Sequence, residues 1–293
     1  MNKPNVYFIK DITEDNLVKI YEQLNIELKG RVAVKVHSGE KGNQNFLHPE
    51  FVKPLIEKVN GTVVECNTAY GGERNTTEKH QKLMEYHGWT KYFNVDILDS
   101  DEDLEIEIKD GLQIDKNYVG KKIENYDSML VISHFKGHPM GGFGGAIKQL
   151  SIGVASTKGK CYIHSAGKVV DQDILWENTA PQIAFLEAMA DAAKTVTDYF
   201  KDNIAYVNIM CNMSVDCDCC SKAEDPCMKD IGILASLDPV AIDQACIDLV
   251  NQSNDPGKEH FLERVNSRFG THTIDSAAKI GLGSKEYNFV EIK

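Results

Sequence analysis

The densest group of chemically reactive residues in this sequence lies between Ser133 and Lys148. These sixteen residues include two histidines, two lysines and five glycines. Glycine permits a positive φ and a close approach of the backbone, and a helix that begins after such a loop directs free N–H groups toward an anion. We therefore expect the segment to bind a small anionic molecule. The alternative is a tight structural turn whose histidines bond only to backbone carbonyls.

The residues of this segment that we expect to contact the anion are Lys136, Gly141, Gly142, Gly144 and Gly145. The segment matches neither of the common nucleotide-binding motifs. Lys148 is followed by Gln rather than the Ser or Thr of a Walker A loop, and the glycine spacing also differs from the dinucleotide fingerprint. Nucleotide binding therefore has no specific support.

A second group consists of cysteines, five of which fall between residues 211 and 227. Thiolates at this density suit zinc or an iron–sulfur cluster, although the spacing is neither that of a zinc ribbon nor that of a ferredoxin. The expected ligands are Cys217, Cys219 or Cys220, and Cys227, with Cys211 or His164 as the fourth. The alternative is a loop of reduced thiols without a metal ion.

Composition narrows the class of protein. The net charge is -12, so a nucleic-acid or acidic membrane partner is disfavoured. No N-terminal signal region and no apolar run of about 20 residues is present, and cysteines in such a chain are better interpreted as thiols or metal ligands than as disulfides. We expect a soluble cytoplasmic protein. The sequence does not indicate its oligomeric state.

The pattern of elements is typical of an α/β fold with a mostly parallel sheet and flanking helices. Strands are expected at 6–9, 31–37, 62–66, 94–98, 129–133, 204–210 and 231–236, and a hairpin turning at 110–111. Helices are expected at 14–28, 49–59, 76–87, 181–199 and 239–251, with another beginning near Phe143. The 293 residues form a single domain, or two lobes of about 1–125 and 126–293 around a central crevice.

Further candidates follow predicted strands. His37 and Asn67 come just after two of them, and the carboxyl ends of parallel strands are where ligands bind in open α/β sheets. Arg74 lies in the next loop and could clamp a carboxylate with two hydrogen bonds; an exposed surface position is the alternative. Asp238 and Pro239 are typical of the start of a helix.

Several of these segments together resemble one known family, the uncharacterised iron–sulfur centre proteins called domain of unknown function 362. The resemblance runs through residues 34–40, 67–80, 134–148 and 230–243, and includes the Cys217-Asp218-Cys219 core. Many members carry a ferredoxin-like insert after the histidine equivalent to His164. Residues 166–179 contain no cysteine, so we expect that cluster to be absent. Cys66 also stands where the family usually has an acidic residue.

A more distant resemblance concerns the nickel-pincer lactate racemases. The arrangement His138-x9-Lys148-x15-His164 is similar to theirs, in which the first histidine is an acid/base, the lysine carries the cofactor and the last histidine binds nickel. The resemblance implies that His138 moves a proton, that Lys148 holds a cofactor or anion, and that His164 binds metal. His37 and His134 are the candidates for a second catalytic histidine.

The sequence thus predicts a metal-dependent or iron–sulfur-dependent enzyme acting on a small carboxylate or phosphate, with iron, nickel or zinc as the metal. Isomerisation and redox chemistry both fit. The alternatives are an iron–sulfur or metal carrier that passes electrons to a redox partner protein, and a binding module that has lost its cofactor.

Overall fold

A computed structural model describes residues 3–293. These residues form twelve strands and ten α-helices. The strands are β1 (Asn5–Ile9), β2 (Val32–Lys35), β3 (Gly61–Glu65), β4 (Val95–Ile97), β5 (Asp103–Glu107), β6 (Lys116–Gly120), β7 (Ser128–His134), β8 (Lys136–His138), β9 (Gly142–Gly144), β10 (Ile204–Met210), β11 (Gly232–Ser236) and β12 (Asn288–Glu291).

The helices are α1 (Glu14–Glu22), α2 (Pro49–Lys58), α3 (Thr77–Tyr86), α4 (Trp89–Tyr92), α5 (Ala146–Val154), α6 (Thr157–His164), α7 (Gln182–Phe200), α8 (Pro239–Gln252), α9 (Lys258–Ser267) and α10 (His272–Lys279). Two short 3₁₀ turns cover Lys121–Asn125 and Leu175–Glu177. Among the described residues, no helix is both long and apolar enough to cross a membrane.

The central sheet has eight strands in the order β12-β1-β11-β10-β7-β2-β3-β4. Only β11 runs antiparallel to its neighbours, which confirms the mostly parallel α/β fold. Strands from both sides of residue 125 pair within this one sheet, since β2 lies beside β7 and β1 beside β11. A division into two lobes stays a prediction.

Alternate residues of the central strands pack on opposite faces of the sheet, as expected for a sheet covered on both sides. In β7, Met129 and Val131 join one core with residues of α5, α7 and α8. Leu130 and Ile132 join the other core, with residues of α1, α2 and α3. The result is a three-layer sandwich with its parallel strand ends aligned at one edge.

Two helix boundaries differ from the sequence prediction by more than one residue. The first helix ends at Glu22 rather than Leu28, because Asn25 adopts a left-handed conformation with φ 48° that ends the helical path. The helix predicted to begin near Phe143 begins at Ala146 instead. Phe143 lies in β9, which pairs with β8 in a short antiparallel hairpin.

The predicted surface hairpin between residues 99 and 115 is present as the antiparallel pair β5 and β6. Asp238 caps α8 by accepting hydrogen bonds from the backbone nitrogens of Val240 and Ala241, each at 2.9 Å, and Pro239 is the first helical residue. Both features follow the predicted pattern.

Candidate functional site

A cavity of about 240 Å³ opens beside the carboxyl ends of β2 and β3, between the β8–β9 hairpin and helices α5, α6 and α7. Its polar lining consists of Lys35, His37, Glu65, Cys66, Thr68, Tyr70, Arg74, His138, Lys148, Gln149, Lys160, His164 and Cys219. Its apolar lining consists of Ala69, Pro139, Met140, Ile152, Gly153, Trp176, Phe185 and Met189.

His138, at the end of β8, is held in one tautomer by the backbone. Its Nδ1 atom accepts hydrogen bonds from the backbone nitrogens of Met140 at 3.1 Å and Gly141 at 2.9 Å. Burial is the main cause that lowers the pKa of His138, so the ring is neutral and its single proton resides on Nε2. That atom lies 3.9 Å from Cys219 Sγ. His138, which lines the cavity, therefore has an N–H group at Nε2.

His37 has the same tautomer, because its Nδ1 accepts the backbone N–H of Gly39 at 3.1 Å. Burial, followed by the positive charge of Arg74, lowers the pKa of His37 to about 4. Cys217 raises this pKa but does not outweigh burial. His37 and His138 thus both have a backbone donor at Nδ1 and an N–H group at Nε2. Both histidines lie near the cysteine loop, which consists of residues 211–227.

Cys217 is fully buried. Burial disfavours its charge, but a hydrogen bond from Cys219 and the positive charge of Lys148 outweigh burial and lower its pKa well below the ordinary thiol value. The backbone nitrogen of Cys219 lies 3.4 Å and Lys148 Nζ 4.0 Å from its sulfur. The hydrogen bond to Cys217 raises the pKa of the Cys219 thiol, so Cys217 is the more acidic of the two.

One group of potential metal donors is present among residues 3–293. It consists of His138, Cys217 and Cys219, whose donor atoms all lie within 4.8 Å of one another. Cys220, Cys227 and His164, which the sequence suggested as further ligands, lie outside this group. Cys227 instead lies 3.2 Å from the carbonyl oxygen of Met213. The cysteine loop therefore supplies two adjacent sulfurs rather than four.

His164 ends α6 and has the opposite tautomer to His138. Its Nδ1 donates to the carbonyl oxygen of Lys160 at 2.8 Å, and burial lowers its pKa to about 4. The Nε2 atom is left with a free lone pair, as in histidines whose second nitrogen is fixed by a carbonyl when they bind metal. The ring stacks on Phe185, with centroids 4.8 Å apart. His164 is thus a lone-pair donor facing the cavity.

Positive charge dominates the polar part of the cavity. Arg74 is buried and pairs with Glu40 at 3.3 Å and with Glu65 at 3.8 Å, so the exposed alternative is wrong. Lys148 and Lys160 are also buried, and in the described chain neither has a carboxylate within ion-pair distance. Lys148 lies near the sulfur of Cys217, whereas Lys160 bonds only to the carbonyl oxygen of Ala155. A buried charge without a partner is costly, so Lys160 in particular favours an anionic ligand.

Sequence reasoning missed the residues that support this cluster. Lys35 and Glu65 end two buried strands and lie 3.7 Å apart, and Glu65 also bonds to His80 at 2.8 Å. Lys160 follows on α6, with its Nζ 2.5 Å from the carbonyl oxygen of Ala155. The available signal was a charged residue at the end of an otherwise apolar strand, as in Val32–Lys35 and Gly61–Glu65.

His134 and Lys136 lie behind the cavity and serve the structure. His134 donates from Nδ1 to Asp218 at 2.9 Å and from Nε2 to the carbonyl oxygen of Cys211 at 2.6 Å. Lys136 pairs with the same aspartate at 2.9 Å. Because both ring nitrogens of His134 are occupied, we no longer assign it a catalytic role, nor an anion-binding role to Lys136. Together they position the cysteine loop through Asp218.

Asn67 is likewise a supporting residue. Its side-chain amide donates to Thr77 Oγ1 at 3.0 Å, and its oxygen lies 3.3 Å from His80 Nδ1. It does not line the cavity. Its contact orients His80, which in turn bonds to Glu65. The predicted ligand contact is therefore replaced by an indirect role.

The anion expected at the start of α5 is supplied by the protein itself. Asp243 accepts hydrogen bonds from the backbone nitrogens of Ala146 at 2.7 Å and Ile147 at 2.9 Å. A Cβ atom at Gly145 would lie 2.3 Å from Asp243 Oδ1, so only glycine fits there. Gly142 has φ 81° and turns the β8–β9 hairpin. Gly141 lies against the His138 ring and Gly144 beside Lys136. The glycines thus shape the loop, and its helix start is not a free anion site.

Comparisons with solved structures give distant similarities. One is the lactate racemase apoprotein from Thermoanaerobacterium thermosaccharolyticum, with 15% identity, a TM-score of 0.43, and coverage of 69% of this chain and 50% of that one. Another is a protein from Thermotoga maritima, with 12% identity, a TM-score of 0.45, and coverage of 91% of this chain and 58% of that one. This chain therefore spans half of the length of the first and 58% of the length of the second.

No curated protein matches the sequence. A family model does match it: the one described as Domain of unknown function (DUF362) covers residues 32–248. These residues include the cavity and the cysteine loop, and they are well over half of the chain. The chain therefore belongs to the DUF362 family.

Proposed function

We propose that this protein is a metal-dependent enzyme that transfers a proton on a small anionic molecule, a carboxylate or a phosphate ester. The observation that carries the proposal is a shared cavity. The donor group of His138, Cys217 and Cys219 adjoins the same space that receives the side chains of Lys148 and Lys160. A site for a soft metal ion and a site for an anion thus lie side by side.

The sulfurs of Cys217 and Cys219 are the proposed protein ligands. Two thiolates suit zinc, nickel or iron, and a zinc ion with few protein ligands keeps an open position for substrate. In a tetrahedral zinc site a nitrogen and a sulfur ligand are about 3.6 Å apart, given bond lengths of about 2.1 and 2.3 Å. The 3.9 Å between His138 Nε2 and Cys219 Sγ is close to that value.

The tautomer of His138 nevertheless favours a role toward the substrate over metal ligation. Ligation through Nε2 requires its lone pair, whereas the two backbone donors at Nδ1 keep a proton on Nε2. A neutral histidine with a fixed N–H near the substrate is suited to donate a hydrogen bond to the negative charge that develops as a proton is removed from the substrate. The bound metal would supply Lewis acidity at the anionic group.

The first experiment measures metal content by mass spectrometry, in protein purified without oxygen and without a metal-affinity column. We expect about one equivalent of zinc, nickel or iron, lost in Cys219→Ser and kept in Cys227→Ser, the matched control from the same loop. Iron with acid-labile sulfide would indicate a cluster instead. Metal below about a tenth of an equivalent would contradict the metal site, since such ligands bind tightly when intact.

A second experiment separates an enzyme from a carrier. The protein is incubated in deuterium oxide with small carboxylates and phosphate esters, and exchange at carbon is followed by NMR. We expect exchange with at least one compound, and its loss in His138→Gln while the metal is retained. A metal-loaded protein that exchanges no compound would favour the carrier. Loss of metal in His138→Gln, as in Cys219→Ser, would make His138 a ligand.

A further inference from the structure

The cavity has two chemically different walls. One wall carries the cationic residues, of which Lys148 and Lys160 have no carboxylate partner in the part of the chain that the structure describes. The apolar wall is formed mainly by Trp176, Phe185 and Met189. A ligand that satisfies both walls has an anionic end and an apolar end, because an entirely polar molecule would leave the apolar wall in contact with water.

The apolar wall includes an aromatic group. Phe185 stacks on His164 with an interplanar angle of 26°, and Trp176 contacts the same imidazole edge-to-face at 67°, with centroids 6.1 Å apart. Phe185 is buried, whereas Trp176 is 50% exposed although it lines the cavity. An exposed tryptophan gains burial when an apolar group enters beside it, and offset or edge-to-face contacts favour an aromatic partner.

The size of the cavity limits the ligand. Its volume of about 240 Å³ is below the roughly 300–1,000 Å³ of pockets that hold drug-sized molecules. A nucleotide or a coenzyme thioester does not fit within it. A carboxylate that carries a single aromatic ring is small enough and can contact both walls.

Building on the function proposed above, we infer that the substrate is a small carboxylate with an aromatic or bulky branched apolar group. The carboxylate lies against Lys148 and Lys160, and the apolar group lies between Trp176 and Met189. This inference names the substrate class, whereas the proposed function required only an anion. The inferred substrate class therefore differs from short acids that have no large apolar group.

The test is calorimetric titration of the intact protein with three probes: 3-phenyllactate, lactate and inorganic phosphate. Burial of a phenyl group is worth a factor of roughly ten to a hundred in affinity. We therefore expect 3-phenyllactate to bind at least about tenfold more tightly than lactate or phosphate. Its binding should also change the fluorescence of Trp176, because the other tryptophan, Trp89, is fully buried in a separate core.

Variants test which residues contact the apolar end of the ligand and which contact its carboxylate. Trp176→Ala should lower the affinity for 3-phenyllactate by about tenfold and leave the affinity for lactate unchanged. Lys160→Met should lower the affinity for both ligands. Tyr86→Ala is the matched control, since Tyr86 is 70% exposed and lies outside the cavity. Thermal unfolding of each variant checks that it is folded.

The outcomes separate the two proposals. If lactate or phosphate binds as tightly as 3-phenyllactate, the aromatic class is overturned while the anion site of the proposed function stands. If no probe binds to folded, metal-loaded protein, both are overturned. If Trp176→Ala lowers the affinities for lactate and for 3-phenyllactate equally, the apolar wall does not select the substrate and the inference fails.

Discussion

The Nδ1 atom of His138 lies 2.9 Å from the backbone nitrogen of Gly141, which donates a hydrogen bond to it. His164 shows the reverse arrangement, since its Nδ1 donates to the carbonyl oxygen of Lys160. Two buried histidines on the same cavity therefore offer different atoms to a ligand: a proton from His138 and a lone pair from His164. This difference divides their roles without reference to any relative.

The tautomers themselves can be measured. In long-range proton–nitrogen NMR spectra at pH 7, we expect His138 and His37 to carry their proton on Nε2, and His164 to carry it on Nδ1. His138→Gln and His164→Gln assign the signals. Addition of zinc should leave the His138 tautomer unchanged, because the backbone fixes it. A switch of His138 to the Nδ1 proton on zinc addition would show that it ligates the metal.

The cap on α5 gives a prediction about stability. Asp243 is buried and accepts bonds from two backbone nitrogens and from Asn208 at 2.7 Å. Asp243→Ala leaves these donors without a partner, so we expect a loss of about 2–4 kcal/mol in the free energy of unfolding. Urea denaturation measures it.

The matched control is Asp238→Ala, which removes the cap of α8. Asp238 accepts hydrogen bonds from the backbone nitrogens of Val240, Ala241 and Ser284. It is only partly buried, unlike Asp243, so its donors can bond to water in the variant and we expect a loss of about 1–2 kcal/mol. Equal stability of Asp243→Ala and the wild type would mean that the start of α5 is open to solvent or to another anion.

This cap also shows why part of the site could not be predicted. The glycines of residues 141–145 permit both a helix start with free N–H groups and a tight hairpin, and local sequence does not distinguish them. The choice depends on Asp243, about a hundred residues later, and on the pairing of β9 with β8. Both are long-range contacts, which a single sequence does not reveal.

Local signals predicted the strongly patterned elements but missed several short ones, namely α4, α6, α9, α10, β8, β9 and β12. The strand at Ile204–Met210 has the predicted limits, and α7 and α8 differ from prediction by one residue at each shifted end. These segments have strong hydrophobic patterns and clear helix starts. The charged residues Lys35 and Glu65 were missed because a single polar residue at the end of an apolar strand looks like a boundary, and its burial depends on the layers above it.

Lys35 gives a prediction about pH. Burial, only partly offset by Glu65, lowers the pKa of Lys35 to about 8 from 10.5. Above pH 8 the folded protein releases this proton while the unfolded chain keeps it, so the unfolded state binds more protons and stability rises with pH. From pH 8 to 9, the free energy of unfolding should rise more steeply in the wild type than in Lys35→Met, by up to about 1.4 kcal/mol per pH unit.

The wild type and Lys35→Met are compared only between pH 8 and 9, because thiols of the unfolded chain ionise near pH 9 and add their own pH dependence above it. Urea unfolding at several pH values gives both slopes. Lys122→Met is a suitable control, since Lys122 is a partly exposed lysine near Asp96 and its pKa is raised rather than lowered. Identical slopes for the wild type and Lys35→Met would contradict the lowered pKa.

Thiol reactivity gives the last prediction. Cys219, Cys220 and Cys227 are partly exposed, whereas Cys217 is fully buried although its pKa is low. Alkylation needs both a thiolate and access, so iodoacetamide should label Cys220 fastest, because its pKa is lowered, and should spare the buried Cys217. Cys219 and Cys227 should be labelled more slowly, because the pKa of each thiol is raised. Mass-spectrometric mapping measures the label at each site.

Prior loading with zinc should protect Cys219 and leave Cys227 reactive, because only Cys219 belongs to the donor group. Equal protection of Cys227 would mean that Cys227 also binds the metal ion. No protection of Cys219 would mean that the cysteine loop does not bind the metal ion.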